Sequence, residues 1–265
     1  MSKSNYKTLS ARKESNGVFT IEIARPEVRN AFDEDLISEL NAAFSDASQD
    51  PNVKVVIFCG QGKIFCAGGD LKWMQKSIAL TGEENLKETR RLTQMFNTLN
   101  TCSKPVVGLV QGAAIGGGVG LVSICDYVVT MKDTIYSLSE VRLGIIPACI
   151  GPFVLAKIGE SHARAYFMSA ERFDAPRARE IGLVHELVDS EEAMKAARDR
   201  IVANLLQCGP NAMAAAKSLI REIKSRSHTE SLEFVAKCLA DLRVKPEAQE
   251  GFKAFFEKRK PSWSK

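Results

Sequence analysis

The chain has 265 residues, 45% of them hydrophobic and 26% charged, with a formal net charge of +4. That composition is too apolar for a disordered polypeptide, and acidic and basic residues are interspersed, which excludes the basic tail or stripe that binds nucleic acid. The length approaches the limit of a single hydrophobic core, so one main domain with an appended segment is expected.

Residues 6–11 and 18–23 alternate apolar and polar side chains around Asn16-Gly17, the pattern of two strands joined by a tight turn. Asp33 stands where it can cap a helix in which Leu36, Ile37, Leu40 and Phe44 recur at helical spacing. Residues 53–59, apolar but for Lys54, form a run bounded by Pro51-Asn52 and Gly60, as expected for a strand buried on both faces, and 106–110 and 127–130 read alike. Helices at about 85–99 and 116–123 alternate with these strands, which predicts an α/β core with largely parallel pairing. From residue 191 onward the pattern is helical, with breaks at Gly209-Pro210, Ser227-His228 and Lys245-Pro246. Residues 1–190 are therefore the expected core and 191–265 a helical appendage. Its apolar positions, among them Leu232, Leu239, Phe252, Phe255 and Phe256, exceed what one arm buries internally, so they are expected to pack against the body or another subunit.

Cysteines at 59, 66, 102, 125, 149, 208 and 238 are odd in number and never spaced C-x-x-C, which reads as reduced core thiols. Residues 1–16 carry neither a signal-peptide apolar core nor an Arg-rich transit pattern, so a cytoplasmic location is expected. The longest apolar stretch, 106–122, is broken by Gln111 and several glycines and makes a poor membrane span. No His/Cys/Asp cluster has ligand spacing, so no metal is expected.

Three segments follow apolar strands and carry unusual backbone freedom or an ionisable group. In Cys66-Ala67-Gly68-Gly69-Asp70-Leu71, paired glycines let the backbone turn sharply and approach a ligand, although a simple turn reads the same way. Residues 110–121 run from a strand end through Gly116-Gly117-Gly118 into a helix. Free N–H donors and the positive helix end gather there, suiting an anion site or else close helix–sheet packing. The spacing does not fit a dinucleotide or phosphate loop. The third, 136–147, sets Glu140 in a run that otherwise favours burial. A buried carboxyl with a raised pKa suits a general acid or base, and a structural contact of Glu140 with Arg142 or with backbone is the alternative.

In order and spacing these segments, with Arg25-Pro26-Glu27-Val28-Arg29-Asn30-Ala31 and Phe255-Phe256-Glu257-Lys258-Arg259, resemble the crotonase (enoyl-CoA hydratase/isomerase) superfamily over nearly the whole chain. The resemblance implies an α/β spiral of ββα units with a C-terminal helical trimerisation region, and an acyl-CoA thioester substrate with no separate cofactor. It also implies a homotrimer or a homohexamer built as a dimer of trimers. By the same resemblance the Gly69 and Gly117 N–H groups hold the thioester oxygen and Glu140 moves the proton. Arg29, Ala67, Asp70 and Leu71 line the CoA path, and Phe255 and Lys258 complete it, from a neighbouring subunit.

The sequence departs from the two-glutamate hydratases of that family at Gly120, which stands where the first glutamate is expected. Glu140 would act alone, as in the family's Δ3,Δ2-enoyl-CoA isomerases. Ala148 occupies the position of the additional aspartate of dienoyl-CoA isomerases, which speaks against that subclass. Gly116 to Leu121, with Ser139 to Gly144 and Pro147 to Val154, is similar to bacterial methylglutaconyl-CoA and isohexenylglutaconyl-CoA hydratases. That similarity implies water addition to a branched, carboxylated enoyl-CoA, with Arg142 and Lys72 as candidate cations for the carboxylate. The alternatives from other classes are a non-catalytic CoA-binding protein and a thiol hydrolase built on Cys66 or Cys149, the latter weakened because His162, His185 and His228 are distant in sequence.

Overall fold

In the computed structural model, which describes residues 6–264, β1 (Leu9–Lys13) and β2 (Val18–Ile23) pair antiparallel with Leu9 opposite Ile23. Pairing starts three residues later than the alternation from residue 6 suggested, and residues 1–5 and 265 of the expected core and appendage lie outside the described residues. The helix α1 (Glu34–Gln49) follows, with the Asp33 carboxylate accepting the Leu36 N–H at 2.8 Å, a cap typically contributing about 1 kcal/mol. Leu36, Ile37, Leu40 and Phe44 face inward, as their spacing predicts.

β3 (Val55–Gly60), α2 (Leu71–Ser77), α3 (Gly82–Thr101) and β4 (Val106–Val110) come next, then β5 (Ala113–Ile115), α4 (Gly117–Ser123), β6 (Tyr127–Met131) and β7 (Ile135–Ser137). After them run α5 (Gly151–Ser169), β8 (Arg172–Asp174), α6 (Ala175–Glu180), β9 (Glu186–Val188) and α7 (Glu191–Leu206), followed by α8 (Pro210–Lys224), α9 (His228–Arg243) and α10 (Pro246–Phe256). The main sheet has the order β1-β2-β3-β4-β6-β9, parallel from β2 onward, and β5-β7-β8 form a small second sheet.

Side chains alternate across a strand, so each central strand feeds two cores. Val56, Phe58, Val106 and Val110 meet α1 and α3 through Phe44, Met95, Phe96 and Leu99, whereas Val55, Ile57, Val107 and Val129 meet α7 through Ala197, Ile201 and Val202. This double burial is why residues 55–59 and 106–110 read as continuous apolar runs rather than alternating ones. Phe44, Phe58 and Phe65 stack edge to face at 5.3 and 5.7 Å between centroids, filling the layer under the first glycine loop. The breaks at Gly209-Pro210, Ser227-His228 and Lys245-Pro246 fall at the starts of α8, α9 and α10.

One expectation needs correction. The run 136–147 is buried at its start, where Tyr136, Ser137 and Leu138 complete β7 and its exit, and again only at Pro147. From Glu140 the chain leaves the sheet in a short 3-10 turn (Glu140–Leu143) that ends at Gly144, leaving Leu143, Ile145 and Ile146 exposed by 61, 54 and 70%. No helix of the described residues is long and apolar enough to cross a membrane.

Candidate active site

The two glycine loops lie side by side because backbone hydrogen bonds tie them together. Cys66 N–H donates to the Ala113 carbonyl at 3.1 Å, and Ile115 N–H donates to the Cys66 carbonyl at 3.0 Å. Phe32 joins both loops. Its N–H donates to the Gly68 carbonyl at 2.7 Å and its carbonyl accepts the Asp70 N–H at 2.8 Å, so its backbone brackets Gly69. Its ring reaches the other loop, with Cε2 2.7 Å from where a Gly117 side chain would begin. Among the described residues the Gly69 N–H has no backbone acceptor, and the Gly117 N–H opens α4, where helix geometry supplies none. The triple glycine therefore serves both close packing and anion binding, since a Cβ at Gly118 would lie only 2.5 Å from the Cys66 carbonyl oxygen while the Gly117 N–H has no backbone acceptor among the described residues.

Glu140 faces the same place. Its Oε1 lies 3.1 Å from the position a Gly116 Cβ would take, and Gly116 holds φ at +52°, a conformation that costs glycine little. A side chain at residue 116 would thus displace the carboxyl. Glu140 Oε2 is buried without a hydrogen-bond partner among the described residues, and burial pushes the carboxyl pKa above its ordinary 4.5. Of the structural alternatives for Glu140, the contact with Arg142 is not realised, because Arg142 donates to the Ala170 carbonyl at 3.0 Å instead, whereas a hydrogen bond from backbone at Glu140 itself partly offsets the effect of burial. The arrangement combines an uncommitted carboxylate oxygen with nearby backbone donors, which suits proton transfer beside a developing oxyanion.

Gly120, the position of the expected but missing first glutamate, turns its absent side chain toward a filled space. A Cβ there would lie 2.3 Å from Ile150 Cγ2 and 2.9 Å from both Ile150 Cβ and Phe96 Cε1. Phe96 in turn packs 6.0 Å from Phe32 and from Phe153 between ring centroids. This side of the site is an aromatic and aliphatic wall.

Outside the glycine loops a groove of about 520 Å³ is lined by Glu27, Val28, Arg29, Ala31, Ala67, Gly69, Asp70, Leu71 and Lys72. It brings together Arg29, Ala67, Asp70 and Leu71, the four residues expected there from one chain. The Ala67 N–H donates to the Arg29 carbonyl at 3.0 Å, joining the two walls, and Leu71, 82% exposed, overhangs the groove. The Asp70 carboxylate turns inward, capping α2 through Lys72 and Trp73 N–H and pairing with Arg25. Phe255 and Lys258 do not line this groove within one chain; Phe255 stands 77% exposed at the end of α10. Trp73 and Met74 close over Gly69, with Met74 Sδ 3.1 Å from the site of its missing Cβ, and the Trp73 indole N–H donates to Glu88 at 2.7 Å.

A thiol hydrolase built on Cys66 finds no support. Cys66 is fully buried and its thiol is pushed up to about 12 by that burial. His185 accepts the Val128 N–H at 2.9 Å and stacks on Tyr127, with burial, helped by Lys157, holding its pKa at about 4. Three participants escaped sequence reading: Phe32, Arg25, and the Ile150–Phe96 wall. The first two sit beside residues already singled out, but nothing in the sequence links Gly120 to Ile150.

A spiral α/β body with paired glycine loops and one carboxylate set against them defines a crotonase-type enzyme. The chain belongs to the enoyl-CoA hydratase/isomerase family, whose model matches residues 13–265. It is 32% identical over 250 residues to the enoyl-CoA hydratase AKT6-1 of Alternaria alternata, spanning 92% of this chain and 80% of that one. It is also 28% identical over 278 residues to the peroxisomal Δ(3,5)-Δ(2,4)-dienoyl-CoA isomerase of Arabidopsis thaliana, spanning both chains entirely. The crystal structure of an enoyl-CoA hydratase from Shewanella pealeana superposes with a TM-score of 0.93 at 35% identity, covering 98% of this chain and 97% of that one. The α/β fold expected from the sequence is thereby shown, and both hydratases and isomerases stand among the relatives.

Proposed function

We propose that this protein is an enoyl-CoA hydratase that adds water across the α,β double bond of a branched enoyl-CoA of the 3-methylglutaconyl type. In this reading the Gly69 and Gly117 N–H groups hold the thioester oxygen while charge gathers on it, and donors fixed before the reaction favour the enolate over the neutral ground state. Glu140 takes a proton from water as oxygen adds to C3, and returns it to C2. The observation that carries the reading is the partnerless, buried Oε2 of Glu140 beside the Gly116 turn. The CoA moiety runs along the groove of Arg29, Ala67, Asp70 and Leu71. Phe255 and Lys258 join it from a second subunit of a trimer or of a hexamer formed by two trimers, a reading that the exposure of Phe255 and Phe256 supports. The glutaconyl preference rests on the sequence similarity of residues 116–121 and 139–154, with Lys72 on the groove and Arg142 as the cations it offers. A cytoplasmic setting is part of the same proposal.

A second reading, Δ3,Δ2-enoyl-CoA isomerase, is favoured by the wall at Gly120. Ile150 and Phe96 leave no side chain there to hold a water, whereas shuttling one proton between carbons needs a single carboxylate. Incubating the protein with 3-methylglutaconyl-CoA, crotonyl-CoA and a 3-enoyl-CoA while following conjugated-thioester absorbance separates the two. Loss of conjugation with the glutaconyl substrate, abolished in Glu140→Gln, is the expected result. Gain of conjugation from the 3-enoyl substrate alone establishes the isomerase. Binding without turnover of any of them leaves a CoA-binding protein and refutes both enzymatic readings.

A further inference from the structure

Arg25 leaves the end of β2 with its side chain only 13% exposed, and its guanidinium reaches three acceptors. One nitrogen donates to the Ala31 carbonyl, and the other faces the Asp33 carboxylate at 2.6 Å and the Asp70 carboxylate at 3.3 Å. Ala31 directly precedes Phe32, whose backbone pairs with residues 68 and 70 on either side of Gly69. The guanidinium therefore bonds to both segments of that pair. Asp70 is held at its other oxygen as well, which accepts the Lys72 and Trp73 N–H groups at 2.8 and 3.3 Å. The near segment is fixed in turn, because Arg25 N–H donates to Asn30 Oδ1 at 2.9 Å and the Asn30 amide donates to the Ile64 carbonyl at 2.7 Å.

We infer that Arg25 is a positioning residue for the reaction, a cross-brace that fixes the direction of the Gly69 N–H by locking the 31–33 and 68–70 segments together. The inference rests on the reading of Gly69 as an oxyanion donor. A donor stabilises developing charge in proportion to how well it is fixed beforehand. Without the guanidinium, Asp33 and Asp70 converge on one site with no cation between them, and their repulsion pushes the segments apart. Lysine keeps the charge but not the planar fork that reaches three acceptors at once, so it replaces arginine only in part.

The test uses acetoacetyl-CoA, whose C2 proton is acidic and whose enolate absorbs in the near ultraviolet. A working pair of backbone donors lowers the apparent pKa of the bound ligand, which a pH titration reads directly. Butyryl-CoA, which forms no enolate under these conditions, reports binding alone, and thermal melting reports folding. Arg25→Gln is expected to reduce the enolate equilibrium constant and kcat by about ten- to a hundredfold, of the order seen on losing an oxyanion donor, with butyryl-CoA affinity within about threefold of wild type, the ordinary scatter of single-residue effects. Arg25→Lys is expected to fall between. An unchanged enolate fraction and kcat in Arg25→Gln, or losses that merely track weaker butyryl-CoA binding, overturns the inference. If Arg25→Gln does not fold, Arg25→Lys is judged by the same comparison. A wild-type protein that fails to stabilise the enolate overturns the oxyanion reading itself, an outcome distinct from a wild type that succeeds and an Arg25 variant that succeeds equally.

Discussion

Replacing Gly120 by alanine puts the wall of the site to a quantitative test. In a helix the exchange ordinarily gains about 1 kcal/mol, because alanine loses less backbone freedom than glycine. Here the added methyl would meet Ile150 Cγ2 at 2.3 Å and Phe96 Cε1 at 2.9 Å, far inside contact distance, among side chains that are 3% and 0% exposed. Forcing a methyl into a filled core costs roughly 1–3 kcal/mol, and at this separation the upper part of that range applies. The net expectation for Gly120→Ala is a loss of about 1–2 kcal/mol, or roughly 2–8 °C in Tm for a chain of this size. Ile150→Ala alone leaves a cavity and costs about 2–5 kcal/mol, but the double variant should be more stable than the sum of the two by about 1–2 kcal/mol, since the new methyl enters the vacated space. Urea titrations followed by circular dichroism at one fixed protein concentration measure all four corners of the cycle. A Gly120→Ala protein more stable than wild type, or strictly additive effects, would refute the claim that Ile150 occupies the place of the missing side chain.

Further outcomes are expected at Glu140, at the cysteines and at Thr81. Glu140→Gln should lower kcat by about 10²- to 10⁴-fold and, in wild type, the basic form of Glu140 should make the rate rise with pH through a pKa above 4.5. Because the folded-state pKa of Glu140 is raised, the folded chain binds the extra proton, so this group's contribution to stability is fully present below pH 4.5 and is lost as pH rises through the raised value. Glu140→Gln should accordingly be more stable than wild type at neutral pH, with the advantage gone below pH 4.5; denaturant midpoints across pH check the sign. Alkylation with iodoacetamide at pH 8, read by mass spectrometry, should modify exposed Cys208 first and spare Cys66 and Cys125, whose thiols burial pushes up to about 12. Thr81→Ala should remove the capping box with Glu84 and loosen the first turn of α3, a loss of about 0.5–2 kcal/mol visible as faster amide exchange there.

The central strands and α1 were legible because their signal is local: an apolar run or a helical period names both the element and its buried face. The start of α3 carried a signal that went unread, for the Thr81-x-x-Glu84 box sets it three residues before the expected 85. The three-residue strands β5, β7 and β8 offer too few residues for any period to show, and their pairing is decided by the loops they tie down. In the site, the glycine loops and Glu140 were visible as residue types in telling places. What could not be read was contact across the chain: that Arg25 joins Asp33 to Asp70, and that Ile150 fills the space beside Gly120, are facts of packing between segments 30 to 45 residues apart.

The second core has a consequence for biosynthesis. Val55, Ile57, Val107 and Val129 are all synthesised by the end of β6, yet the helix that covers them, α7, ends at Leu206. At 5–20 residues per second a ribosome takes on the order of 4–15 s to cross that interval. For that time a nascent chain that already carries Gly69 and Gly117 also presents a bare valine-rich sheet face. Vectorial synthesis thus gives this chain a period in which self-association competes with folding, closed only when α7 emerges.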